Sequence, residues 1–260
     1  MAKIVQFGGF RHVIFEKIKS RHLITTIDHG DVKVPLLSAN SDSFYSFLPH
    51  FFGTDNVIVA HCQHGTKIKT VTKKSAERVY KADGLLYWYL PTDKKLQKIV
   101  ASTTGDCPHL IIEISLKNFK IVGVVHSGWQ GTLDNIAGQA INMLTNSKMK
   151  LSKKQINIGL WPGICQDCYE VGDEIREMFE KKYSHHILNY FRPINMGKSW
   201  KLSLAGIIRH QLKELGIKEK QIEQPDICPC CYEEDGQPLF FSNRRDDNDK
   251  EKRNGVLIKV

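Results

Sequence analysis

Six short apolar runs constrain this chain most: 56–60, 84–90, 99–102, 109–116, 121–125 and 155–160. Each is too short for a buried helix and is bounded by turn-forming or charged residues, so each reads as a β-strand. Helical spacing falls between and after them. Residues Thr132–Leu144 put Leu133, Ile136, Ala137, Ala140, Ile141 and Leu144 on one face. Val171–Lys182 has acidic residues early and lysines late, matching the helix dipole. Leu202–Leu215 opens with Ser203 as an N-cap and stops at Gly216. Residues 244–253 read as a charged loop and Val256–Val260 as a last strand. Strands and helices do not alternate strictly, which predicts an α+β fold with mixed sheets rather than a doubly wound one. No glycine-rich dinucleotide or nucleoside-triphosphate loop is present.

With 260 residues, 41% hydrophobic and 25% charged, the chain can bury a sizeable core as one large domain or two small ones. Lys3, Arg11 and Lys17 interrupt any apolar signal core, and no stretch approaches a membrane span. A cytoplasmic protein with no membrane partner is expected. The net charge of +9 gathers in two lysine clusters, Lys67–Lys74 and Lys148–Lys154. They lack the aromatic interleaving of a nucleic-acid surface, so solvated faces are expected. Seven cysteines cannot form a complete internal disulfide framework. Their expected roles are metal ligand, nucleophile or buried thiol.

Three strand ends deliver metal-competent side chains: His61, Cys62 and His64; Asp106 and Cys107; and His126. One His, one Cys and one His from separate loops suit a catalytic zinc with an open fourth position. The same residues also suit a thiol enzyme, with Cys107 as nucleophile, His126 or His64 as base and Asp106 orienting the imidazole. Asp106 could equally be a turn residue. Two further C-x-x-C pairs, Cys165/Cys168 and Cys228/Cys231, have zinc-knuckle spacing, though 59 residues lie between them. Arg244 and Arg245 follow the aromatic pair Phe240–Phe241, a pattern that could hold phosphate beside a base.

Taken in order, His64-Gly65, Thr103–Pro108, His126–Thr132, Cys168–Gly172 and Phe240–Asp246 closely resemble the YfiH-type laccase-domain family. That family was formerly labelled multicopper polyphenol oxidases and is now understood as zinc-containing purine nucleoside phosphorylases with adenosine deaminase activity. The resemblance covers about residues 55–260. It implies one catalytic domain, 1–260, of layered mixed β-sheets flanked by helices, acting as a monomer or weak homodimer. Carried onto this chain, it implies His64, Cys107 and His126 as metal ligands. Its structural kinship with a deamidating toxin keeps a metal-free Cys–His thiol hydrolase as an alternative.

The resemblance makes a purine nucleoside and phosphate the expected substrates and zinc the expected metal, with copper-dependent phenol oxidation as the alternative. Deamination would use metal-activated water at C6 of adenine, with Asp106 shuttling the proton. Phosphorolysis would place phosphate on Arg244 and Arg245. Gln130 stands where the family carries Arg, which weakens phosphate holding at that position. Gly128 and Gly131 are expected to permit a tight turn and close approach behind His126. Trp129 is either pocket wall or core.

Overall fold

The computed structural model describes residues 2–38, 42–90, 97–147, 151–183, 185–246 and 251–260. Lys148 and Lys150 of the second lysine cluster, and 247–250 of the charged loop, lie outside them. Two large mixed sheets dominate. The seven-stranded sheet runs, in spatial order, Lys3–Phe7, Phe10–Ile14, His22–Thr25, Asn254–Lys259, Ile99–Thr104, Val57–His61 and Val79–Lys81. The six-stranded sheet runs Ile222–Glu223, Asn157–Trp161, His109–Ser115, Lys120–His126, Gly84–Tyr89 and Ile68–Val71. Parallel pairs join Val57–His61 to both its neighbours, and the outermost pairs of the six-stranded sheet are parallel too. The expected α+β class with layered mixed sheets is what forms.

The layering explains why the strand runs are apolar throughout. In Lys120–His126, Val122 and Val124 pack between the two sheets, whereas Ile121 and Val125 face the helices Ile136–Thr145 and Leu204–Glu214. In Val57–His61, Ile58 and Ala60 face the other sheet, while Val57 and Val59 meet the helix Asp42–Phe52. Alternate side chains point to opposite faces. With both faces covered, period-2 polarity disappears and a continuous apolar run remains. A smaller sheet, Glu170–Gly172, Ser199–Leu202 and Phe191–Ile194, packs with the helix Asp173–Lys182 around Phe179.

Most expected elements appear near their predicted bounds, and the first 25 residues add three strands. The helix expected over Thr132–Leu144 is instead two pieces, Trp129–Leu133 and Ile136–Thr145. Asn135 breaks it by adopting φ 56°, and its side chain then accepts the Gly138 N–H to cap the second piece. The expected apolar helix face survives the break from Ile136 onward, since Ile136, Ala137, Ala140, Ile141 and Leu144 all remain buried. The helix expected from Val171 begins at Asp173, because 170–172 pairs as a strand. Among the described residues no helix is long and apolar enough to cross a membrane.

Candidate metal centre

Strand ends from both large sheets meet at one end of the sandwich. His61, Thr104, His126 and Trp161 close their strands there, while Gly84 and His109 begin theirs. The register sets His126 opposite His109, and His109 opposite Trp161. The loops leaving these ends therefore crowd together, and they carry the metal-competent side chains.

His64, Cys107 and His126 offer one ligand atom each, all within 4.8 Å of one another. The His64 and His126 rings stand perpendicular with centroids 5.0 Å apart. His126 is buried, Cys107 half-buried and His64 exposed, so the group opens to solvent on the His64 side. The three expected ligands are brought together. Two imidazoles and a thiolate form a nitrogen–sulfur donor set that leaves a fourth tetrahedral position open.

Asp83, which the sequence reading did not single out, organises this group. Its carboxylate is fully buried. Oδ1 accepts from Gln63 N and Oδ2 from Gly65 N, each at 3.0 Å, fixing the loop in which His64 adopts φ 59°. Oδ1 also lies 3.1 Å from His126 Nδ1, and the Asp83 carbonyl accepts the His126 N–H at 2.7 Å. With Nδ1 committed to Asp83, Nε2 of His126 is the nitrogen left for a metal.

The Cys107 loop is held as firmly. Its carbonyl accepts from Thr104 Oγ1 at 2.8 Å, and the flanking carbonyls of Asp106 and Pro108 accept from Ile164 N and Ser127 N. Gly163, at φ 65°, lies so close that a Cβ would come within 2.3 Å of the Asp106 oxygen. Gly128 does one of the two jobs expected. Its φ of −64° is open to any residue. Its role is close approach, because a Cβ would sit 3.3–3.5 Å from Cys107 Sγ, His126 Cε1 and His64 Cδ2 together, at the edge of contact with all three. Gly131 likewise backs onto the Gly65 carbonyl.

Electrostatics follow from this packing. Burial alone would raise the Cys107 thiol, but His126 and His64 beside it bring it down to about 6. Burial alone would lower His126, yet Cys62, Cys107 and Asp83 around it hold it well above its ordinary range. Burial lowers His109 far below the usual imidazole value, leaving it neutral against Ser102 and the Cys107 carbonyl.

The Asp106 carboxylate is engaged by Ser242 and Arg244 rather than by an imidazole, and Asp83 takes that orienting role. The Asp106 oxygens accept from Ser242 Oγ and Arg244 N, both at 2.7 Å, and burial holds the carboxyl above its usual range. Arg244 is exposed, donates to the Glu170 carbonyl and lies 5.1 Å over the Tyr169 ring. Arg245 differs sharply. Asp246 and the carbonyls of Pro229, Cys230 and Phe240 occupy its guanidinium, which leaves phosphate no vacant donor without breaking the loop. Gln130 is exposed in the short helix Trp129–Leu133, and Trp129 packs with the cluster around Phe179. Tyr169 was also missed. Burial and the nearby Cys107 push its hydroxyl up to about 12.

Comparison with known proteins places these features in context. The family described as "Multi-copper polyphenol oxidoreductase laccase" matches residues 38–259. A protein named adenosine deaminase RL5, from an unknown prokaryotic organism, is 34% identical over 58% of this chain and 55% of its own. A Campylobacter jejuni purine nucleoside phosphorylase is 27% identical over 60% of each chain. The match thus spans little more than half the length of these curated relatives. The crystal structure of the Bacillus licheniformis hypothetical protein YfiH superposes with a TM-score of 0.78, at 22% identity, over 98% of this chain and 100% of that one.

Proposed function

We propose that this chain, which belongs to the multi-copper polyphenol oxidoreductase laccase family, is a zinc-dependent purine nucleoside enzyme. Its reactions are phosphorolysis of adenosine- and inosine-type nucleosides and deamination of adenosine. The observation that carries this reading is the convergence of His64, Cys107 and His126 within 4.8 Å, with Asp83 behind His126. The relatives named purine nucleoside phosphorylase and adenosine deaminase support it. The donor set fits a catalytic zinc: three ligands of nitrogen and sulfur, one of them braced by a carboxylate. Zinc, when bound, supplies Lewis acidity that lowers the pKa of water toward about 7. Multicopper oxidation needs several coppers held largely by histidine, which this single two-histidine set matches less well.

The chain's own groups divide the remaining work. Asp106, raised by burial, holds and returns a proton through its carboxylate during deamination. Arg244, with donors beyond the one on Glu170, positions phosphate against C1′, and the neutral Gln130 adds a hydrogen bond without charge. Arg245 shapes the loop that presents Arg244. The site operates within one catalytic domain, 1–260, as a monomer or weak homodimer, and its seven free thiols suit the reducing cytoplasm.

A second reading has a specific observation behind it. Cys107, His126 and Asp83 form the nucleophile–base–carboxylate line of a thiol hydrolase. One experiment separates the readings. Adenosine is incubated with and without phosphate, in air and anaerobically, using native protein and Cys107→Ala. The nucleoside enzyme gives inosine without phosphate, and adenine with ribose 1-phosphate only when phosphate is present. Both persist without oxygen, and both vanish with the metal in Cys107→Ala. Turnover that stops without oxygen means phenol-oxidase chemistry, and turnover that survives metal stripping means the thiol hydrolase. Turnover and metal both surviving Cys107→Ala would refute this site altogether.

A further inference from the structure

We infer that Cys165, Cys168, Cys228 and Cys231 form a second, closed metal site, a tetrathiolate zinc that clamps two loops behind the catalytic centre. The four sulfurs all lie within 4.8 Å of one another, and Cys165 Sγ and Cys231 Sγ are 3.9 Å apart. A tetrahedral zinc with Zn–S of about 2.3 Å requires sulfurs about 3.8 Å apart, so little movement is needed to close the site. The 59 intervening residues that argued against a ribbon prove to be no obstacle. They form the small sheet and its helices, and the chain then returns to the same place.

The local backbone supplies an independent observation. Each C-x-x-C segment is wound into a turn: Cys168 N and Tyr169 N donate to the Cys165 carbonyl, and Tyr232 N donates to the Cys228 carbonyl. The Cys228 sulfur accepts the Cys165 N–H at 3.2 Å and is faced by the backbone N–H groups of Cys230 and Cys231. Amides aimed at a sulfur within a C-x-x-C turn are hydrogen-bond geometry that suits a metal-bound cysteine.

The position explains what the clamp does. The Cys165–Cys168 turn follows Ile164, whose N–H holds the Asp106 carbonyl, and precedes Tyr169 beneath Arg244. The Cys228–Cys231 turn contributes the Pro229 and Cys230 carbonyls that hold Arg245. Four protein ligands leave no open coordination position, so this metal is structural. Cys230 stays outside the group, beside Cys168 and Ser242.

The test uses the full chain with Cys107→Ser, which breaks the three-ligand site and leaves the four cysteines intact. Metal content is measured after purification, and cobalt(II) then replaces zinc. One zinc per chain is expected to remain, and the cobalt form should show the intense thiolate-to-metal absorption of four sulfurs. Native protein should hold one metal more. The double variant Cys165→Ser/Cys231→Ser should lose the tetrathiolate signal; should it fail to fold, the Cys107→Ser spectrum still decides. Absence of metal from Cys107→Ser, a cobalt spectrum lacking four-thiolate intensity, or disulfides among these cysteines by non-reducing mass analysis would overturn the inference. None of these outcomes depends on turnover, so this site can fail while the nucleoside reading stands, and the reverse.

Discussion

At the scale of single residues, Asp83 decides whether the three proposed metal ligands are a site or three neighbours. One buried carboxylate fixes the His64 loop through two backbone amides and, by engaging His126 Nδ1, leaves Nε2 as the nitrogen a metal would take. Replacing Asp83 by Asn keeps the shape but removes the charge behind the imidazole. A loss of about 10–100-fold in metal affinity at this site is expected, read by competition with a chromogenic chelator. Unchanged affinity would reduce Asp83 to loop support. A second outcome concerns Cys107. In chelator-stripped protein its thiolate forms as pH rises through about 6, so alkylation should already be near its plateau at pH 7. An ordinary thiol, at about 8.5, would still be accelerating there. The convergence of His64, Cys107 and His126 was legible because metal-competent side chains at the ends of apolar runs are conspicuous. Asp83 was not, since Ala82-Asp83-Gly84 reads as any turn aspartate, and its partners come from tertiary structure. Arg245 misled for the same reason: a sequence shows a guanidinium but not the carbonyls that surround it.

Among the elements, the broken helix 129–145 shows what periodicity can and cannot report. Apolar spacing correctly identified the buried face from Ile136 to Leu144, because that face must meet the sheet whether or not the helix is continuous. It could not report the break, which depends on one residue's backbone. Asn135 combines a left-handed conformation with a side-chain cap on Gly138, two things asparagine does at low cost. Asn135→Ala should therefore lose about 1–2 kcal/mol in urea unfolding, and Asn135→Gly only a few tenths. The break also frees Trp129–Leu133 to lie along its own direction. Gln211 then reaches the Thr132 carbonyl, and the Thr132 hydroxyl meets Ser127. This short piece keeps Gly128 against the three ligands. If both variants proved as stable as the native protein, neither the cap nor the left-handed backbone would have an energetic role, and the break would have to come from packing alone.

For the molecule as a whole, the layers and the site are separable in energy. The inter-sheet core is built from residues such as Val13, Ile58, Leu85, Val124, Trp161 and Val256, and the helix-facing core from another set; His64 and Cys107 lie in loops and His126 at the last position of its strand, beyond the middle of both layers. Most apolar burial, the main stabilising term, is therefore made away from the proposed catalytic ligands. The sequence made the strands and the class of fold plain, because runs covered on both faces leave an unmistakable pattern. It did not show that two sheets would end at one place, which only the pairing register determines. A consequence can be checked by stepwise chelation. Mild chelator should remove the metal from the solvent-open His64 side and abolish turnover, while near-ultraviolet circular dichroism stays within its native range. A stronger chelator, reaching the four cysteines, should then alter the signal of Tyr169 and Tyr232, which flank those turns, with far-ultraviolet ellipticity held by the two sheets. Collapse of both signals at the first step would mean that the proposed catalytic ligands carry the fold, contrary to their place in loops and at a strand end.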